Sequence, residues 1–138
     1  MDGVVIVDDY AHHPTAIHAT IAAARQRYPE HEIWAVWQPH TYSRTAALQD
    51  QYQQAFTQAH HVLVTDIYAA REKPIAGITA ASVASGIDNP DVHHTPSLED
   101  AARFLVERVN APAVILIMSA GDAPRIGELF IQWRGAHQ

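Results

Sequence analysis

Cysteine is absent from the 138 residues, so there is no disulfide framework and no thiolate metal site. Lysine occurs once, at Lys73, and nine basic side chains face fifteen acidic ones, a formal net charge of −6 at pH 7. Surfaces that bind nucleic acid or anionic membrane need a spread of cations, and this balance argues against both. A local basic pocket stays open. No run of roughly 18 apolar residues is present to span a bilayer, and Met1-Asp2-Gly3 has no feature of a secretory leader. The phosphate cradle GxxxxGK(S/T) and the dinucleotide fingerprint GxGxxG are both missing, as are HExxH and GxSxG. These absences argue against a self-sufficient ATPase, dehydrogenase, zinc protease or serine hydrolase.

What is present is the make-up of an ordinary globular domain, 48% hydrophobic and 17% charged. The length suits one domain, residues 1–138, with a real core. Strand-like sequence begins at Val4 with almost no lead-in, which suits a piece of a longer protein divided at a domain boundary.

Apolar runs alternate with helical patterns. Val4 to Val7 reads as a strand, and Pro14 to about Arg27 as a helix with Ile17, Ile21 and Ala24 on one face. Ile33 to Trp37 is the second strand, followed by a helix from Thr45 to about Ala59 that Thr41 or Ser43 can cap. His61 to Thr65, Asp91 to His94 and Ala113 to Met118 are further strands. Helices are expected over Thr79–Ser85, Leu98–Val109 and Pro124–Arg134. This alternation predicts a three-layer, Rossmann-like α/β fold. Its mainly parallel sheet has about five or six strands, with helices on both faces. Strand order is not readable from the pattern.

The chemistry gathers where strands end, and in open α/β sheets ligands bind outside the carboxyl ends of the strands. Asp8 and Asp9 leave the first strand. A carboxylate there can accept ribose hydroxyls, hold magnesium through water, or simply cap the next helix. Tyr10, His12 and His13 follow, the imidazoles suited to a phosphate or an adenine, or to nothing beyond a solvated loop. His40 and Arg44 frame the second exit, where a guanidinium beside helix amides suits a carboxylate or phosphate, or else an acidic neighbour on the surface. Asp66 and Tyr68 mark the third exit, and Ser119-Ala120-Gly121-Asp122 the last.

The doublets His12-His13, His60-His61 and His93-His94 carry no HxH or HxxxH spacing, and adjacent residues on extended chain point to opposite faces. No dedicated metal site is expected. A phosphoacceptor receiver domain would share the paired acids, but needs a lysine at the exit of the last strand, where Ser119-Ala120-Gly121-Asp122 stands instead. A free-standing module binding a nucleotide or small anion remains as a rival.

Asp8-Asp9-Tyr10-Ala11-His12-His13-Pro14-Thr15 resembles the opening of the C-terminal domain of the muramyl ligases. Gln38-Pro39-His40-Thr41-Tyr42-Ser43-Arg44-Thr45 and Thr65-Asp66-Ile67-Tyr68-Ala69-Ala70-Arg71-Glu72-Lys73-Pro74-Ile75 resemble, within that family, the branch that joins L-alanine to UDP-N-acetylmuramate. The muropeptide-recycling branch shares the first motif and is expected to differ in the second. The resemblance covers essentially the whole chain.

It implies the amino-acid-binding, closing domain of a three-domain ATP-dependent ligase of the bacterial cytoplasm, inactive alone. ATP and Mg would be held mainly by the absent central domain, and the UDP-sugar by the N-terminal one. By the same resemblance, Asp9 and His13 lie toward the cofactor. Tyr10 and His12 are catalytic, and His40, Arg44 and Tyr68 bind substrate, with Arg44 on the amino acid carboxylate. Two departures stand out: Thr41 replaces the family's usual arginine, with Arg71 a candidate substitute, and Ser119 replaces a commoner glycine.

Overall fold

The structure, a computed structural model, describes residues 3–136; the reading of Met1 and Asp2 as no part of a leader lies outside the described residues. Five strands form one all-parallel sheet: β1 (Val4–Asp9), β2 (Glu32–Trp37), β3 (His61–Val64), β4 (Val92–His94) and β5 (Ala113–Met118). Their spatial order is β1-β5-β2-β3-β4. The chain therefore steps outward from β2 to β4, then returns across the sheet to insert β5 between β1 and β2.

Six helices cover the two faces: α1 (Pro14–Arg27), α2 (Tyr42–Ala47), α3 (Gln49–Gln53), α4 (Ala80–Ser85), α5 (Leu98–Arg108) and α6 (Arg125–Ala136). The strands are β-branched, aliphatic and aromatic, residues that fit a pleated surface. β5 is buried at every position, as a central strand between two helical layers must be. Alternation sends Ala35, Trp37, Val114, Leu116 and Met118 into one core with Ile17 and Ile21 of α1 and Phe56. Trp34, Val36, Ile115 and Ile117 enter the other core with Leu105 of α5 and Ile126 and Phe130 of α6.

Local signals set the helix starts. Pro14 occupies the first helical turn, with His13 as N-cap, its Nδ1 accepting from the Thr15 amide at 3.3 Å. Ser97 and Asp100 cap α5 reciprocally, and Thr79 and Ser82 do the same for α4.

The helix expected over 45–59 is divided. α2 ends at Ala47, Leu48 has φ −117° and ψ 18°, and α3 runs only from Gln49 to Gln53 before a turn-like stretch. Two anchors that one axis cannot serve explain the break. Thr41, at the head of α2, is tied to the β3 exit by its amide, which donates to the Tyr68 carbonyl at 2.8 Å. Tyr52 on α3 is fully buried against Trp37, ring centroids 4.6 Å apart.

Register decides where the site lies. Asp9 pairs with Met118, Met118 with Trp37, Trp37 with Val64, and Val64 with His94. All five strands thus end level, and their exits form one continuous rim.

Candidate functional site

Four rings stand in file along that rim. Tyr10 meets His12 edge-on at 5.0 Å between centroids, His12 lies 6.0 Å from His40, and His40 stacks on Tyr68 at 5.5 Å with planes 11° apart. The file crosses the exits of β1, β2 and β3, so residues 28 positions apart in sequence become neighbours. Tyr10 is 71% exposed, so the file opens to solvent at the β1 end.

Hydrogen bonds to and within the backbone hold the segments that carry these rings. The His12 Nδ1 lies 2.8 Å from the Tyr10 carbonyl, which can only accept. In the neutral ring Nδ1 therefore carries the proton and Nε2 keeps its lone pair. The His12 carbonyl accepts the Tyr52 hydroxyl at 2.6 Å, which pins the β1 exit loop to the core. Burial pushes the Tyr52 hydroxyl up to about 12, against a smaller opposing pull from Arg44, so it stays a donor at all working pH. Tyr68 and His40 form an isolated parallel bridge, with the Tyr68 amide donating to the Pro39 carbonyl at 2.8 Å.

Thr41 carries the strain. Its φ of 62° and ψ of 149° are foreign to a β-branched residue. It is locked by its amide on Tyr68, by its Oγ1 accepting from the Arg44 amide at 3.2 Å, and by its carbonyl accepting the Thr45 hydroxyl at 2.7 Å. This kink starts α2 and sets Arg44 in its first turn, exposed beside His40. Glu72 completes the arrangement: its carboxylate accepts the Ser43 amide at 2.9 Å and the Ser43 hydroxyl. Those bonds hold the Glu72 carboxyl below its ordinary value. The β3 exit loop, which holds positive φ at Ala70 and Arg71, is clasped to α2 in this way.

A buried polar knot supports the rim from below. Gln38 is 4% exposed; its Nε2 donates to Asp122 at 2.7 Å and its Oε1 accepts the Ser119 hydroxyl at 2.7 Å. Ser119 Oγ also accepts the Gly121 amide at 2.8 Å. A methyl on Gly121 would lie 2.8 Å from Gln38 Oε1 and 2.9 Å from the Tyr68 ring, so the close approach requires glycine. Ser119 is thus a working member of the knot.

Tyr10, His12, His40, Tyr68 and Arg44 are brought together; Asp9 and His13 stand apart. The Asp9 Oδ1 accepts the Ala11 amide at 2.8 Å and Oδ2 accepts the Thr20 hydroxyl at 3.2 Å, so the carboxylate turns toward α1. There it borders an open, mostly apolar hollow of about 440 Å³ with Val7, Thr20, Ala23 and Tyr28. The His13 ring is committed to capping α1. Asp8 points to the opposite face, toward α6, where burial and then the like charge of Glu128 raise its carboxyl. Gln38, Tyr52 and Glu72 escaped the sequence reading as site residues. Gln38 did have a signal, as the first polar residue after a strand buried on both faces.

The family model described as "Mur ligase, glutamate ligase domain" matches residues 1–121. The chain belongs to the Mur ligase family. This Mur ligase domain is 45% identical over 133 residues to the UDP-N-acetylmuramate–L-alanine ligase of Syntrophotalea carbinolica, covering 94% of this chain and 29% of that protein. Among solved structures, it matches the UDP-N-acetylmuramate–alanine ligase of Thermotoga maritima with a TM-score of 0.77 at 19% identity. That match covers 98% of this chain and 27% of that one, and bears on the fold. A murein peptide ligase from Psychrobacter arcticus matches with a TM-score of 0.76 at 25% identity, over 97% and 28% of the two chains. The Mur ligase domain thus spans under a third of the length of the curated relatives it matches.

Mg and ATP phosphates are implied by the family. Among the described residues no group of three or more His, Asp or Glu side chains is placed to hold a metal ion, and the sequence has no phosphate cradle. The residues present do not fit a metal centre. No described helix is long and apolar enough to cross a membrane.

Proposed function

We propose that this chain is the C-terminal, closing domain of a cytoplasmic bacterial ligase that uses ATP to join L-alanine to UDP-N-acetylmuramate in peptidoglycan precursor synthesis. The observation that carries the reading is the file of rings beside an exposed Arg44 on an open rim, in a chain so similar to ligases of that name. Such a rim is half a pocket. The N-terminal and central domains of the same protein would supply the other half, with ATP, Mg and the UDP-sugar.

In the family reaction the muramoyl carboxylate becomes an acyl phosphate, the alanine amine attacks its carbonyl carbon, and phosphate leaves. The residues here act on the amine side. Arg44 presents a forked donor that pairs with the amino acid carboxylate. In this reading the bare Nε2 of His12 takes the proton that the alanine ammonium must lose before attack. Tyr10 and Tyr68 form the ends of the wall. Holding the amine against the acyl phosphate turns a bimolecular step into a local one, worth several powers of ten in rate. Asp9 has lone pairs to spare for a ribose hydroxyl, and His13 lies at the cofactor side as a helix cap.

Two assays test this. The purified 138-residue chain should release no phosphate from ATP with both substrates present. The full-length ligase should turn over with L-alanine. Turnover by the chain alone refutes the reading.

The murein peptide ligase match favours a second reading, a domain that accepts a preformed peptide rather than one amino acid. A full-length enzyme that uses a tripeptide and ignores L-alanine would establish it.

A further inference from the structure

The two nitrogens of His40 lie in unlike surroundings. Nδ1 is buried and, among the described residues, has no hydrogen-bond partner. The ring is only half-buried, stacked on Tyr68 and tilted against His12, and of its two nitrogens only Nδ1 is buried without a partner, so the rim side left to a ligand is the Nε2 side. A proton on Nδ1 would be a buried donor with no acceptor, which forfeits its hydration for nothing; a bare lone pair there is the lesser penalty.

We propose that His40 presents an Nε2–H donor, with Nδ1 left bare, to an anionic oxygen that Arg44 also holds, and that it does not act as the base for the incoming amine. The chemical class is a carboxylate or phosphoryl oxygen, from alanine or from the acyl phosphate respectively. His12 is the opposite tautomer, its Nδ1–H on the Tyr10 carbonyl and its Nε2 bare. The file thus holds one imidazole that donates and one that accepts at the equivalent nitrogen.

The charged and titratable groups around His40 are Arg44 from α2, His12 from the β1 exit and Glu72 from the β3 exit loop, with the Tyr68 phenol stacked on it. Burial, then Arg44, then His12 lower its affinity for a second proton, and Glu72 opposes them more weakly. The ring is therefore neutral at pH 7. The donor role needs that neutrality only to keep Nδ1 unprotonated.

The ligand's identity rests on the reading given under Proposed function; the tautomer does not, so the two fail separately. The first test is a two-bond proton–nitrogen correlation spectrum of the 15N-labelled chain at neutral pH, with His40 assigned by its loss in H40Q. The Nε2–H pattern is expected. The Nδ1–H pattern, or a doubly protonated ring, overturns the proposal.

The second test is kinetic, in the full-length ligase. A glutamine amide reaches the Nε2 position, whereas an asparagine amide reaches that of Nδ1. H40Q should keep most of kcat/KM and leave the pH profile unchanged in shape. H40N should lose roughly 10- to 100-fold, the size of one hydrogen bond to a charged oxygen. A loss confined to the KM for alanine assigns the oxygen to its carboxylate. A loss in kcat with both KM values unchanged assigns it to the phosphoryl group. Equal damage from both variants, with native amide spectra, or a basic limb abolished by H40Q, overturns the donor role.

Discussion

The two ends of the sheet hold the same residue types and pair them to different degrees. At the amino ends of β2, β3 and β4, His61 lies between Glu32 at 2.9 Å and Asp91 at 2.5 Å, and His93 reaches the other Asp91 oxygen at 2.7 Å. Trp34 stacks on His61 at 3.9 Å and Phe104 packs on His93 at 4.6 Å, so the rings are covered as well as paired. At the carboxyl ends, the side chains of Tyr10 and Arg44, one nitrogen of His12 and both nitrogens of His40 have no hydrogen-bond partner among the described residues. There the backbone also bends through positive φ at Thr41, Ala70 and Arg71. Saturated polar groups hold a fold together, while unsatisfied ones beside strained backbone are held ready for something else. The proposed site lies on the second edge, where pairing is not absent but lies to one side: His94 at the end of β4 meets Asp66 at 2.8 Å.

Breaking the working edge should cost function and spare stability. Arg44→Ala in the full-length ligase should raise the KM for alanine about 100-fold, at the upper end for one charged contact, with far less change in the KM for ATP. Because Arg44 is exposed, the unfolding midpoint of the domain should hardly move. Equal shifts in both KM values would contradict its place on the carboxylate.

The knot between the edges should fail in both respects. Gly121→Ala forces a methyl onto Gln38 and Tyr68 and should cost about 1–3 kcal/mol of stability, as overpacking does. The Tyr68–His40 stack should shift with it, visible as altered ring resonances. Asp91→Ala breaks only the structural edge. With its partners partly exposed it should cost about 1–2 kcal/mol in urea unfolding and leave the full-length enzyme's kinetics alone. Tyr52→Phe removes one hydroxyl and should cost about 1 kcal/mol, with a loosened β1 exit read as faster amide exchange at His12 and His13.

The smallest effect is that of pH. The His60 Nδ1 accepts the Ile33 amide at 2.8 Å, and burial followed by Arg25 lowers its affinity for a proton, against weaker opposition from Glu32. Folded His60 is neutral, so the unfolded chain binds the extra proton first. Its contribution is complete above the ordinary histidine value of about 6.5 and falls away as the pH drops through the folded value. Asp91 acts lower. Burial pushes its carboxyl up, but the bonds from His61 and His93 outweigh that and bring it below the ordinary value. Its contribution is lost only as the pH falls beneath about 4. Urea titrations from pH 7 to pH 3 should show two declines, and His60→Asn, which keeps an acceptor near Nδ1, should shrink the first, leaving the part that His40 contributes.

Several features were legible in the linear chain because short-range physics decides them. Pro14 to Arg27 has one apolar stripe and a proline start, and it is helical over that span. Ala113 to Met118 is apolar on both faces, and it is a central strand. Thr41 and Ser43 were the two capping candidates, and Thr41 is the one that caps. The helix over 45–59 was misread because its break at Leu48 answers to Tyr68 and Trp37, which lie far away in sequence.

By itself, then, the order of amino acids determined that strands and helices alternate, that the polar residues follow the strands, and which family the motifs resemble. Only the packed molecule decided that β5 slots between β1 and β2, bringing Ser119 and Asp122 under Gln38. It alone decided that Asp9 and His13 turn away while Tyr10, His12, His40 and Tyr68 fall into line. The reason is range. Propensity and periodicity act over a few residues, whereas register, burial and the partnering of a single ring nitrogen are set by groups that meet only when the sheet closes.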